Sequence, residues 1–557
     1  MPVKPGLSTP SKAAPHWGTA FSAVLIAASL PPWDLGFLVW VALVPWFLAV
    51  SKIRNYSGAI AQGFWLGFMV AGLSAWWLTL ALHDFLKVSW PTSIAVFGTY
   101  AAFSAQPQFL VFAPLLRQFA VAPRGAPVAI SLTTPLALAL CYAGLDWFLP
   151  RVFDVGLGYA LHSAENLRQL ADVGGVSLLT FLIVWVNLAA FKIIERPGRA
   201  STSENNWPAH VGVIVLVLAT AFAYGSIRNR ELAERLANPT QLVSVGLVQG
   251  SVPNDVRLAW ASGDDRAAER QLSTYMLLTE GFIKQKPRPD IVLWPEATFP
   301  GVFLKPRSKY QQGRGIKFDR QVMRLNRPIV FGAYDLETQG EQHTLFNSLF
   351  AIVPDYERSG SQGAVQRYHK HELLPFAETI PGASSIEWLR EALPTLGFFG
   401  RGEGARVFVL TLADGSEVRA APIICSESLH PSTVIESAKR NSQMLLNIGS
   451  DGWFGNYGEP AFHLAIAKFR SIETRLPQVR AANTGISALI LPSGEVTART
   501  EWGEERTLSL EVPLWEPVAP GERTTMLEWG DWFGRHALFI GTALVLILAW
   551  AHRRTLS

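Results

Sequence analysis

The chain has 557 residues, of which 49% are hydrophobic and only 17% are charged, with a net charge of +4. Soluble domains carry about 25% charged residues, so a chain lying wholly in water is excluded. The small positive balance sits beside apolar segments, which fits membrane orientation rather than nucleic-acid binding.

Seven apolar runs fill the first part of the chain, at roughly 17–31, 36–51, 58–82, 91–116, 126–149, 173–194 and 209–226. An eighth lies near 535–551. About 20 apolar residues cross a bilayer core, so these runs predict eight spans. The first, within "HWGTAFSAVLIAASLPPW", resembles a signal-peptide core but lacks a clean cleavage pattern, and it is kept as a helix. With the N-terminus in the cytoplasm, that side receives Lys4, Lys12, Lys52, Arg54, Arg117, Arg124, Lys192, Arg196, Arg199, Arg553 and Arg554. The opposite side receives Lys87, Arg151 and Arg168. This bias predicts that both termini are cytoplasmic and that the long segment before the last span lies outside. The expected organisation is a membrane domain over 1–226, a water-exposed domain over 227–530, and a last helix with a tail over 531–557.

In the long segment, short β-rich runs bounded by turn residues alternate with helical stretches, which predicts an α/β domain. The runs are 241–252, 289–299, 327–335, 347–354, 419–428, 443–451 and 485–496. "RAAERQLSTYMLLTEGFIKQK" and "FHLAIAKFRSIETR" read as helices, and "ERPGRASTSENNWP" reads as a polar loop.

Three stretches end runs with reactive residues. "LWPEATFP" holds Glu296, "RYHKHELLPFAE" holds Lys370 and Glu378, and "IICSES" holds Cys425 and Glu427. A carboxylate, an ammonium and a thiol can form a nucleophilic site, in which Glu takes the thiol proton and Lys holds the oxyanion. Other readings stay open. Glu296 also suits a helix N-terminus, Lys370 also suits a solvated surface, and Cys425 also suits packing. Cys141, the only other cysteine, lies in an apolar run and reads as packing. Two cysteines build no disulfide framework, and no His/Cys cluster has metal-ligand spacing.

The three stretches in this order resemble the nitrilase superfamily. Together with "PPWDLGFLVWVALVPW", "VQGSVPNDVRLAW", "FNS" and "WFGNYGEPAFHLAIAKFRSIETRLPQVRAANTGIS", they look like the bacterial apolipoprotein N-acyltransferases over nearly the whole chain. The resemblance implies an αββα sandwich domain on eight transmembrane helices of the inner membrane, facing the periplasm. It implies acyl transfer from a membrane phospholipid, through a Cys thioester, to the α-amine of an S-diacylglyceryl cysteine in an apolipoprotein. No cofactor, metal or nucleic acid is implied. Carried over, Glu296 is the general base, Lys370 the oxyanion cation and Cys425 the nucleophile. Glu378 and Glu427 match supporting carboxylates. Trp260, Asn347 and Trp453 match positions that organise substrate or site, although the tryptophans also suit a core and Asn347 a turn cap. The chain departs from the family at Ser426, where an aromatic is common, and at Ser450 and Gly452, in place of Asn and Ala. The loop 380–404 suits a hydrophobic shield over the site as well as an ordinary interface loop. Two further readings are a membrane-tethered amide hydrolase and a silent lipoprotein-binding paralogue.

Overall fold

The structure, a computed structural model, describes residues 15–556 apart from 85–86, 104–105, 121–127, 154–155, 196–206, 305–308, 341, 357–361, 381–398 and 456. Most of the proposed shield loop and the charges at Lys4, Lys12, Arg124, Arg196 and Arg199 therefore lie outside the described residues.

Apolar helices occupy every expected span. Among the described residues, five are long and apolar enough to cross a membrane: Tyr56–Ser74, Val128–Phe148, Leu167–Ile194, Trp207–Ala237 and Phe533–Ala551. The first two expected spans are shorter, at Trp17–Ser29 and Gly36–Ser51. The run expected as one span over 91–116 is instead two helices, Trp90–Phe103 and Pro107–Ala120. Pro107 explains the restart, because proline suits the first helical turn and disfavours helix in the residue before it. Cys141 is buried where Val128–Phe148 packs along the C-terminal helix Phe533–Leu556, in accord with the packing role.

The helix Trp207–Ala237 has 31 residues and runs unbroken through position 226. At 1.5 Å per residue it is about 46 Å long, more than the roughly 30 Å of hydrocarbon. Its end is held by the α/β domain, where Trp515 Nε1 donates to Arg235 O at 3.2 Å and the Arg235 guanidinium lies over the Trp515 ring.

The α/β domain contains two six-stranded sheets. The first holds β1 (Gln241–Gln249), β2 (Ile291–Leu293), β3 (Ile329–Gln339), β4 (Gln342–Pro354), β5 (Gln362–His369) and the late β12 (Arg506–Leu514), in the order β12-β1-β2-β3-β4-β5. The second holds β6 (Phe408–Thr411), β7 (Glu417–Ile424), β8 (Met444–Gly449), β9 (Gln478–Ala482), β10 (Ala488–Ile490) and β11 (Val496–Arg499), in the order β11-β10-β9-β8-β7-β6. Three parallel strands form the centre of each sheet, β1-β2-β3 and β7-β8-β9. Side chains of both sheets, such as Val245, Leu293, Ile424 and Leu446, share one core, so the sheets pack face to face. The helices Asp265–Lys284 and Lys309–Leu325 cover the outer face of the first sheet. Pro431–Ala438 and Glu459–Thr474 cover the second. The result is the αββα sandwich. The expected run 485–496 is a hairpin rather than one strand, because Leu491–Gly494 turns with Gly494 at φ +76°.

One helix joins the two halves of the molecule. Glu459–Thr474 places Leu464 and Ala467 against the second sheet, while Ile466, Phe469 and Ile472 pack into the core of the membrane helices. Just beyond it, Arg475 Nη2 meets Asp172 Oδ2 of the membrane domain at 2.7 Å, with both side chains buried. Arg168 Nε donates to Ser493 O at 3.0 Å beside it.

Candidate active site

Open α/β sheets place reactive groups beyond the carboxyl ends of their parallel strands, and that is where the predicted residues converge. Glu296 follows β2, Lys370 follows β5 and Cys425 follows β7. Gly332 of β3 lets the Glu296 turn approach, since a Cβ there would lie 2.6 Å from Glu296 Cα and 2.4 Å from Ala297 N.

Glu296 is 6% exposed and Lys370 is 1% exposed, so neither is a solvated surface charge. Glu296 does not begin a helix either. Asn347, on β4, joins the group. Its Nδ2 donates to Glu296 Oε1 at 2.7 Å and to Glu378 Oε1 at 2.9 Å. Lys370 Nζ contacts Glu378 Oε2 at 2.6 Å. Burial alone would drive the proton off Lys370, but Glu378 and then Cys425 and Glu296 outweigh it and raise its pKa. Burial likewise pushes the Glu378 carboxyl up, and the Lys370 ammonium reverses this and holds it below its ordinary value. Burial and then Glu296 push the Cys425 thiol well above the ordinary range, against the pull of Lys370. The resting site thus contains a protonated thiol, an ammonium and a buried carboxylate. Such a set can deprotonate the thiol during attack and stabilise an oxyanion.

The backbone of Cys425 is left-handed, at φ +50°, which is uncommon for a non-glycine residue. Glu427 fixes that turn. Its Oε2 accepts from Ile424 N at 2.8 Å, and its Oε1 accepts from Tyr368 OH at 2.6 Å and His371 N at 2.7 Å. It therefore ties the nucleophile turn to the strand that delivers Lys370. Burial raises the pKa of Glu427 despite these bonds.

Trp260 acts at one remove. Its Nε1 donates to Gln271 Oε1 at 3.0 Å, and Gln271 Nε2 donates to the carbonyls of Ala297 and Thr298. Its ring also packs on Tyr334, the residue paired with Asn347 across the sheet. Trp453 lies in the short helix Asp451–Phe454, and its side chain is outside the described ones. An Ala in place of Gly452 in this helix would require the Thr484 side chain to turn, because a Cβ would sit 2.4 Å from Thr484 Oγ1.

Cys425 and Ser426 open onto an apolar cleft. Its walls come from both halves of the molecule: Leu30, Pro31, Trp77 and Phe153 from the membrane domain, and Phe454 and Phe462 from the sandwich. Trp77, Phe153 and Phe454 meet ring to ring at 5.2–6.1 Å. The cleft also contains Glu459 and His463, which the motifs did not single out. Arg257, near both Glu296 and Cys425, was missed as well. No signal in the spacing marks them, since each occupies an ordinary place on a helix. Two groups of carboxylates and a histidine also come together, Asp335–Glu337–His369 and Asp451–Glu459–His463, which metal-ligand spacing did not reveal.

The fold and this cleft define a membrane protein that carries an acyl-transfer site of the carbon–nitrogen hydrolase type. Residues 245–516 match the carbon-nitrogen hydrolase family, and residues 22–189 match the apolipoprotein N-acyltransferase N-terminal domain. The chain belongs to the apolipoprotein N-acyltransferase family. It is 28% identical over 537 residues to the apolipoprotein N-acyltransferase of Geobacter metallireducens, covering 96% of this chain and 94% of that one. It is also 28% identical over 527 residues to that of Chlorobaculum tepidum, covering 90% and 91%.

Proposed function

We propose that the protein transfers an acyl chain from a membrane phospholipid to the α-amine of the S-diacylglyceryl cysteine of an apolipoprotein. The observation that carries this reading is the apolar cleft, which reaches from the membrane helices to the Cys425 thiol. A soluble substrate needs no such wall, whereas a lipid can enter along it without leaving an apolar surface.

Glu296 takes the thiol proton as sulfur attacks the ester carbonyl, and the Lys370 ammonium stabilises the oxyanion. The C–O bond breaks, the lysophospholipid leaves as an alcohol with the proton from Glu296, and a thioester remains on Cys425. Glu378 and Asn347 hold Lys370 and Glu296 in place, and Glu427 and Trp260 hold the two turns. The acceptor amine then attacks the thioester. The cleft restricts water, which would otherwise compete.

The two-step course predicts ping-pong kinetics. Double-reciprocal plots against donor and acceptor are expected to be parallel, with lysophospholipid formed before acceptor is added. Intersecting lines with no lysophospholipid in the absence of acceptor would refute it. Free fatty acid released at the full acylation rate, indifferent to acceptor, would favour the hydrolase instead.

The same reading places the chain in the bacterial inner membrane with eight crossings, the sandwich (227–530) in the periplasm and both termini in the cytoplasm. The charge bias supports this orientation. A reporter fused after Ser557 is expected to behave as cytoplasmic, and one inserted at an exposed loop of the sandwich as exported. The opposite pair of results would invert the topology.

A further inference from the structure

The acceptor presents a difficulty that Glu296 and Lys370 do not address. An α-amine has a pKa of about 8, so at pH 7 only about a tenth of it is the neutral nucleophile. The cleft contains one carboxylate suited to this problem. Glu459 is 8% exposed and lines the cleft together with Cys425. One of its oxygens lies 3.4 Å from His463 Nδ1. The other, Oε2, is buried and has no hydrogen-bond partner. A buried carboxylate oxygen left unpaired in an apolar wall is costly, and an incoming ammonium would satisfy it.

The charges around Glu459 are set by its neighbours. Asp451, from the short helix Asp451–Phe454, binds Arg480 of β9 at 2.8 Å and His463 of the same helix as Glu459 at 3.0 Å. His463 Nε2 in turn meets Ser428 Oγ at 2.8 Å, three residues beyond the nucleophile. Burial would push the Asp451 carboxyl up, but Arg480 and then His463 hold it well below its ordinary pKa, so it is the ionised partner of the Arg480 guanidinium and a hydrogen-bond partner of His463. Glu459 is left over. Burial and then Asp451 push its pKa up to about 7, against the pull of His463 and Arg480. The Arg480 guanidinium within this group disfavours a divalent cation, although the carboxylates and His463 are close enough to suggest one.

We propose that Glu459 is a second, acceptor-side catalytic carboxylate, which binds the α-ammonium of the incoming lipidated cysteine and takes its proton. This rests on the acyltransferase reading above. One proton passes from the ammonium nitrogen to Glu459 and on to solvent. The neutral amine attacks the thioester carbon, and the C–N bond forms. As the C–S bond breaks, the second nitrogen proton goes by way of Glu296 to the departing Cys425 sulfur. The products are the amide and the free thiol. Glu296 thus serves the sulfur in both half-reactions, and Glu459 is added for the acceptor amine in the second.

The test is single-turnover transfer. Protein is first acylated with phospholipid, the adduct is quantified by intact mass, and a diacylglyceryl peptide is added between pH 6 and 9. In the wild type, transfer is expected to rise with pH through an inflection near 7, as Glu459 ionises. With Glu459→Gln, the acyl-enzyme is expected to persist. Transfer at pH 7 should fall about fivefold, the inflection should move to the amine's own pKa near 8, and the deficit should close by pH 9. Glu459→Asp should restore the lower inflection at least in part. A loss that is equal at every pH would show a structural role only and overturn the proposal, as would an unchanged profile. Phosphatidylethanolamine and phosphatidylglycerol serve as alternative donors. Slowed acylation with the first alone would assign the ammonium to the donor head group and overturn the acceptor assignment. Failure of the wild type to form any acyl-enzyme would instead remove the acyltransferase reading, and this inference with it.

Discussion

Incubated with phospholipid, the purified protein is expected to gain the mass of one acyl chain on the peptide that contains Cys425. Cys425→Ala should gain none and should transfer nothing, while Cys141→Ala should behave as wild type. The contrast follows from position. Cys141 is buried between two apolar helices, whereas Cys425 stands at the end of β7, in a left-handed turn that faces the cleft. The left-handed turn costs free energy that the Glu427 bonds offset, which is how strained backbone persists at reactive sites. An adduct that survives in Cys425→Ala would overturn the assignment of the nucleophile.

The second large effect concerns the groups that make the thiol reactive. Burial holds Cys425 protonated, so without a base it is a poor nucleophile. Glu296→Gln should cut acylation at least about 100-fold, because an amide takes no proton. Lys370→Met should cost at least as much, since it removes the oxyanion charge and strands Glu378 as a buried carboxylate without its cation. The two losses should separate in a burst experiment. Glu296→Gln should slow thiol attack while the protein keeps its melting temperature, and Lys370→Met should also lower that temperature. Acylation at the wild-type rate in either variant would contradict the roles proposed here.

Much of this site was legible in the sequence because strand ends are visible there. Apolar runs such as "PIIC" and "IVLWPE" announce buried parallel strands, and the residue that ends such a run is a fair candidate for a reactive group. The structure links Glu296, Asn347, Glu378 and Lys370 in one run of polar contacts near Cys425, and Glu427 separately ties the Cys425 turn to Tyr368 and His371. Other elements were hidden for identifiable reasons. β9 contains Gln478 and Arg480, both fully buried by pairing rather than by apolarity, so its pattern does not read as a core strand. β5, "QGAVQRYH", is similarly polar. β12 does alternate, in "RTLSLEV", and its signal was available. The break between Trp90–Phe103 and Pro107–Ala120 was masked by unbroken hydropathy, which measures solvent preference and not backbone continuity. Glu459 and His463 were the least visible. Their importance comes from Asp451, Ser428 and Arg480, which the fold brings to them from other elements.

The helix Glu459–Thr474 packs on the sheet with one side and on the membrane helices with the other, and the buried Arg475–Asp172 pair lies at its end. The sandwich is therefore docked on the apolar helices and not leashed to them, and the sulfur is held in a fixed position relative to those helices. On the proposed acyl-transfer reading, a phospholipid donor would reach the sulfur by lateral diffusion in two dimensions, so the governing concentration would be the mole fraction of donor in the surface and not its amount per litre. Diluting the donor with inert detergent at constant bulk concentration should then slow acylation in proportion, while diluting the whole suspension with buffer should leave the rate per enzyme nearly unchanged.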